Sequence, residues 1–205
     1  VDLEQRVELV AFDLDGTLTG RDVFREFIVR IRPRMQRLVA LAHVGRYGMG
    51  LMGNDALKQS ILRRWFRSGA ERELTVAQAV QAAADSAFPD LIAWLRSYQS
   101  DGYPVVVATG SPRFLAQPVL DRLGLHDFPL LATEARWDDG ELSFRSCHGA
   151  AKLERLREAY PDTELGLVVS DSEIDRPAMA AARAWVMVSG GQRGSAEGSF
   201  PGIQL

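Results

Sequence analysis

Two aspartates stand one residue apart at the end of an apolar run, in VELVAFDLDGTLTG at residues 7–20. The run Val7–Phe12 is short, apolar and bounded by turn residues, which predicts a buried strand. A buried strand has no use for the carboxylates of Asp13 and Asp15. Two more apolar runs end in the same way. PVVVA at 104–108 leads into Thr109-Gly110-Ser111, and Leu165–Val169 leads into Ser170-Asp171, with Asp175 one helical turn on. In open α/β sheets the ligand crevice lies at the carboxyl ends of the strands. These groups are therefore expected to converge in space, although they are far apart in sequence.

Carboxylates gathered in one crevice repel, and one takes up a proton unless a cation offsets the charge. Oxygen-only ligation by carboxylate, backbone carbonyl and water suits Mg²⁺, which keeps several waters and usually shares its site with a phosphate. The histidines at 43, 126 and 148 are scattered and there is one cysteine, Cys147, so no zinc spacing competes. An aspartate held against Mg²⁺ and facing a phosphoryl group can act as a nucleophile. Phosphoryl transfer asks chiefly for positioning and charge neutralisation. Thr109 and the Gly110 backbone can hold phosphoryl oxygens, and Gly16 allows close backbone approach. Lys152, opening a helix after His148-Gly149, can neutralise both nucleophile and phosphate. Only two of the 24 basic residues are lysines, which singles it out. Asp15, two residues after the nucleophile, can protonate the leaving oxygen and then activate water.

The elements that must position these groups follow from the hydrophobic pattern. Residues 22–88 read as helical throughout, with helices expected over 22–31, 34–46, 54–67 and 75–87. From Pro89 onward helices and strands alternate. Helices are expected over 90–100, 112–123, 150–159 and 173–182, and strands over 104–108, 130–136, 142–145, 165–169 and 184–188. Asp138-Asp139-Gly140 marks a hairpin between two of the strands. This alternation predicts an α/β fold, a doubly wound and mostly parallel sheet with a Rossmann-like core and an inserted all-helical cap. The core is expected over 1–20 and 89–205 and the cap over 21–88. The tail SGGQRGSAEGSFPG, rich in Gly and Ser, is expected to be loosely held.

The chain has 205 residues, 46% hydrophobic and 25% charged, as in globular proteins. A lone cysteine excludes an internal disulfide, and the charged opening residues carry no signal-peptide core, so a cytoplasmic protein is expected. Residues 21–72 carry 12 Lys and Arg against 4 Asp and Glu, although the whole chain is net −3. A basic segment on an acidic body points to an anionic partner, and peripheral contact with an anionic membrane through the cap is one form of it. The stretch 35–53 is too polar to span a bilayer but could lie on its surface. No nucleic-acid partner is expected.

FDLDGT at 12–17, ATGSP at 108–112, CHGAAK at 147–152 and SDSEID at 170–175 resemble, in this order, the four motifs of the haloacid dehalogenase superfamily of phosphatases. The resemblance implies Asp13 as nucleophile, Asp15 as general acid/base, Thr109 as phosphate-binding hydroxyl and Lys152 as charge-stabilising lysine. It implies Mg²⁺ on Asp13, the Asp15 carbonyl and Asp171, with Asp175 supporting. The fourth motif usually begins with Gly, and Ser170 stands there. The helical insertion resembles the type 1 cap of subclass I, in phosphoserine phosphatase-like and bacterial phosphatidylglycerophosphatase-like members. Gly110, Ser111 and Asp22 are the expected substrate contacts, and Arg64 is the cap arginine expected to reach the substrate. Cys147, His148 and the four tryptophans are expected to pack rather than react.

The expected activity is Mg²⁺-dependent hydrolysis of a small or amphiphilic phosphate monoester through phospho-Asp13. A phosphotransferase or phosphomutase would share its first step. A receiver-like phosphorylation switch would keep its phospho-aspartate, and Asp15 and the cap argue against that. A non-catalytic protein docking through its basic cap is the remaining rival.

Overall fold

The computed structural model describes residues 8–31, 53–68 and 72–201. The helix expected over 34–46 and the surface-lying stretch 35–53 fall outside the described residues, apart from Gly53. Strand β1 is Glu8–Phe12. Among the described residues three helices follow, α1 Val23–Arg30, α2 Asn54–Ser68 and α3 Arg72–Ala84, and then α4 Pro89–Ser100. The remainder alternates: β2 Val105–Pro112, α5 Arg113–Arg122, β3 Leu130–Asp138, β4 Glu141–Arg145, α6 Ala150–Ala159 and β5 Glu164–Ser170. A 3₁₀ turn at Glu173–Asp175 leads into α7 Arg176–Ala181, and β6 Ala184–Ser189 and β7 Gln192–Gly198 close the order.

The seven strands form one sheet in the order β4-β3-β2-β1-β5-β6-β7. The five central strands are parallel, and the two edges, β4 and β7, are antiparallel to their neighbours. β1 therefore lies at the centre, between β2 and β5. Its residues alternate between two apolar layers. Val10 and Phe12 pack with α4 and α5, while Leu9 and Ala11 pack with α6 and α7. Burial on both faces explains why β1, β2 and β5 read as continuous apolar runs. The fold is the doubly wound, mostly parallel sheet expected from the alternation.

The helices inserted between β1 and α4 share the larger of the two apolar layers. Phe27 of α1 meets Trp65 of α2 edge-on at 4.9 Å, and Trp65 stacks on Phe114 of α5 at 5.2 Å. Phe66 stacks on Trp137 of β3. These ring contacts seat α2 beside the carboxyl end of β2 and β3.

The tail corrects one expectation. It is not loose: residues 192–198 form β7, which pairs with β6 from Ala184↔Gly198 to Ser189↔Gln192. Gly190 and Gly191 both have positive φ, the conformation that a two-residue hairpin turn requires. A Cβ on Gly194 would come within 2.9 Å of the Met187 carbonyl, so a small residue lets the strands close. Phe200, 3% exposed, anchors the end of the segment in the core. Composition suggested a linker, whereas the backbone pairing makes an edge strand. Among the described residues, no helix is long and apolar enough to cross a membrane.

Candidate active site

The carboxyl ends of β1, β2 and β5 meet α1, α2 and the start of α6 around a cleft of about 330 Å³. Asp13, Asp15, Thr109, Gly110, Ser111, Lys152, Asp171, Asp175 and Asp22 all line it. Nine of the ten residues singled out from the sequence are thus brought together. The tenth, Arg64, is not: it lies exposed with Arg63 and Arg67 along a separate groove on α2.

Asp13 follows β1 directly, and its N–H donates to the Val169 carbonyl at 2.8 Å, which pins it between β1 and β5. Its Oδ1 accepts from the Leu14 N–H at 2.9 Å and lies 3.1 Å from Lys152 Nζ. Among the described residues, Oδ2 has no donor. Lys152, 4% exposed, also donates to Asp175 Oδ2 at 2.5 Å. Ser170 Oγ donates to that same oxygen at 2.7 Å. Ser170 therefore supplies a hydroxyl that holds Asp175 against the lysine, which the glycine usual at this place could not do. Asp175 is 2% exposed, and its Oδ2 is committed to Lys152 and Ser170.

Asp15 is held from two sides. Val23 N–H, at the start of α1, donates to Oδ1 at 2.8 Å, and Thr109 Oγ1 donates to Oδ2 at 2.9 Å. Thr109 Oγ1 in turn accepts from the Ser111 N–H at 3.0 Å, which fixes the β2 loop. Asp22 caps α1, accepting from the Arg25 N–H at 2.8 Å. Asp171 accepts from Thr17 Oγ1 at 3.4 Å.

Charge is not balanced here. Burial pushes the Asp13 carboxyl up to about 8. Lys152 pulls it down, but Asp175, Asp15 and Asp171 add to the rise. One ammonium shared between two carboxylates does not offset four of them. Burial also raises Asp15 to about 6, with Asp22 adding to it and the Val23, Ser111 and Thr109 hydrogen bonds opposing. Asp171 is raised as well, first by burial. Burial works to lower Lys152, but Asp13 and Asp175 outweigh it and hold the ammonium above its ordinary value, so it stays charged.

The excess negative charge is what a divalent cation would relieve. Gly16 supports that reading sterically. It has φ +78°, and a Cβ there would lie 2.0 Å from Asp171 Oδ2. The missing side chain is the space that brings Asp171 against the Asp13–Asp15 turn. Among the described residues no set of three or more His, Cys, Asp or Glu side chains could hold a metal by itself. The residues fit Mg²⁺ instead, which takes one or two carboxylates with the balance from carbonyl, water and phosphate. Gly16→Ala is expected to lower stability by about 1–2 kcal/mol from its left-handed backbone alone. It should also displace Asp171 and abolish any Mg²⁺-induced rise in melting temperature, as read by thermal denaturation with and without the ion.

Two residues escaped the sequence reading, and a third, His148, which was expected to pack, lines the cleft. Lys58 of α2 donates to the Gly110 carbonyl at 2.7 Å. Asn54 Nδ2 lies 2.9 Å from His148 Nε2, and Asn54, Lys58 and His148 all line the cleft. The signal was available for Lys58. It is the other lysine of the chain, and Asn54, Leu57, Lys58, Ile61, Leu62 and Trp65 recur at helical i, i+3, i+4 spacing, so it falls on the buried stripe of α2. Arg63, Arg64 and Arg67 fall on the opposite side.

A family model described as haloacid dehalogenase-like hydrolase matches residues 10–180. Protein CicA of Caulobacter vibrioides is 33% identical over 195 residues, covering 85% of this chain and 82% of that protein. Among solved structures, a protein of unknown function from Bordetella pertussis Tohama I superposes with a TM-score of 0.69 at 18% identity, covering 88% of this chain and 90% of that one. A phosphoserine phosphatase determined as a phospho-aspartyl intermediate analogue superposes with a TM-score of 0.61 at 15% identity, covering 89% and 87%. At these identities the two structures speak for the fold, and the family match spans most of the sequence. The chain belongs to the haloacid dehalogenase-like hydrolases.

Proposed function

We propose that the protein is a Mg²⁺-dependent phosphomonoester hydrolase working through phospho-Asp13. The observation that carries this reading is the Asp13 carboxylate lining the cleft, held through one oxygen by Leu14 and Lys152 and with no donor on the other among the described residues. Asp13 Oδ2 attacks phosphorus, an O–P bond forms and the ester P–O bond breaks. Asp15 gives its proton to the departing oxygen. It then takes a proton from the water that attacks phosphorus, and the Asp13 carboxylate is restored. A carboxyl held near 6 suits giving and taking a proton around neutrality. Thr109 fixes Asp15 for this role, and Lys152 offers a donor for the phosphoryl oxygens. Asp13, the Asp15 carbonyl and Asp171 would hold Mg²⁺, with Asp175 supporting through Lys152. The ion would supply neutralisation of charge on the nucleophile and the phosphoryl group. The helices between β1 and α4 act as the cap that closes the cleft and selects the ester.

A screen of phosphate monoesters tests this reading. Release of inorganic phosphate that needs Mg²⁺ is expected. Transfer to an added alcohol instead of water would make the protein a phosphotransferase, and a lasting phosphoprotein with no release would make it a switch.

The raised carboxyls give a second test, in stability. Between pH 4 and pH 8 the folded protein binds more protons than the unfolded chain, because Asp13 and Asp15 titrate near 8 and 6 instead of 3.8. Stability without metal is therefore expected to fall as pH rises through this window. A divalent cation favours the ionised carboxylates, so its protection grows with pH. At saturation Mg²⁺ should raise the melting temperature by about 5–10 °C at pH 8, and by clearly less at pH 5.5. An equal shift at both pH values would contradict the assigned ligands.

A further inference from the structure

α2 presents a buried cation, Lys58, to the cleft. Lys58 is 7% exposed, on the apolar stripe of its helix. Among the described residues no carboxylate forms an ion pair with it, and its one hydrogen-bond acceptor is the Gly110 carbonyl at 2.7 Å. The ring of Phe24 lies 5.7 Å away and supplies a weaker contact. An ammonium has three protons to donate, and a buried charge is costly unless it is paired. Burial draws Lys58 below its ordinary value, and the more distant Asp22, Asp15, Asp55 and Asp13 pull it back up. The nearby imidazole of His148 is lowered by burial and by Lys58 itself, which keeps it neutral and no rival for an anion. The cleft lining includes the apolar Phe24, Ile28, Leu57 and Ile174 beside the polar Asp22, Arg25, Asn54 and His148.

We infer that Lys58 is the residue by which the cleft selects its ester, and that the substrates are phosphate monoesters whose leaving group joins an apolar body to a second anionic group. This rests on the phosphatase reading above. The phosphoryl group occupies the Asp13 end with Lys152. The apolar body lies along Phe24, Ile28 and Leu57, and the second anion takes the Lys58 protons that no group among the described residues accepts. Substrates with a neutral leaving group leave that ammonium buried and unpaired, and are bound less well.

Binding can be read without turnover by calorimetry in Mg²⁺ buffer. The probes are benzylphosphonate, its para-carboxy derivative, and the derivative with a methyl phosphodiester at the same place. The protein is expected to bind at least one of the two probes that carry a second anion about 10- to 100-fold more tightly than plain benzylphosphonate, as a charged hydrogen bond allows. Which of the two gains more tells a carboxylate site from a phosphodiester site. In Lys58→Met the preference should fall to about one, and in Lys58→Arg it should persist. A residue that merely clamps α2 to Gly110 would change all three affinities together and leave their ratio alone. Equal binding of probes with and without the second anion, or a preference that survives Lys58→Met, overturns the inference. Failure to hydrolyse the benzyl phosphates that carry the second anion, with the binding preference intact, would strike the phosphatase reading and leave the role of Lys58 standing.

Discussion

Replacing Asp13 by Asn is expected to remove phosphate release almost entirely, by at least about 10⁴-fold in kcat, as loss of a covalent nucleophile does. The protein should still fold. An amide fits the space of the carboxylate, its oxygen can accept from the Leu14 N–H, and the sheet around it is apolar on both faces. The substitution also removes the group that burial raises to about 8. The metal-free variant should therefore lose much of the decline in stability between pH 4 and pH 8, and should match or exceed the wild type in melting temperature at pH 8. Steady-state kinetics and thermal denaturation together check both halves. An inactive protein whose stability depends less steeply on pH is expected. An active one would remove Asp13 from the chemistry.

Lys152→Met should damage both activity and stability. The ammonium stands between two buried carboxylates, 3.1 Å from Asp13 and 2.5 Å from Asp175. Deleting one partner of a buried pair typically destabilises by about 3–5 kcal/mol, because the remaining charge is left without compensation. For a chain of this size that lowers the melting temperature by about 10 °C. Activity should fall by about 10²–10³-fold, the scale of losing one preorganised charge donor to a transition state. The double variant Lys152→Met with Asp175→Asn should regain part of the stability, since one stranded carboxylate is gone, but none of the activity. A loss in the double variant equal to the sum of the losses of Lys152→Met and Asp175→Asn alone would show that the pair is not coupled.

Much of this arrangement was legible in the sequence because it is built from short, strongly patterned segments. β1, β2 and β5 are buried on both faces, so they appear as unbroken apolar runs, and the polar residues that end them mark the crevice. The tail was misread because β7 is an edge strand with an almost fully exposed pattern. Its pairing depends on backbone hydrogen bonds and on close approach at Gly194 and Gly198, neither of which leaves an apolar signature. β2 runs on to Pro112, four residues past its apolar stretch, for a related reason: Thr109 and Ser111 are polar yet buried. On α2 the composition drew attention to arginine, the commoner cation, while the helical phase places Lys58 on the cleft side and Arg64 away from it. Asn54 and His148 meet across 94 positions of sequence. That contact comes from the packing of α2 on the core and from no local pattern.

The central claim is that the phosphoryl group passes through the side chain of Asp13. Rapid acid quench of the Asp15→Asn variant during turnover of a phosphate ester, followed by peptide mapping, tests it most directly. Without Asp15 to activate water, the intermediate should accumulate, and the phosphoryl group should be found on the peptide that carries Asp13. A phosphoryl group on any other residue would contradict the account. So would wild-type hydrolysis that persists when Asp13 is replaced by Asn.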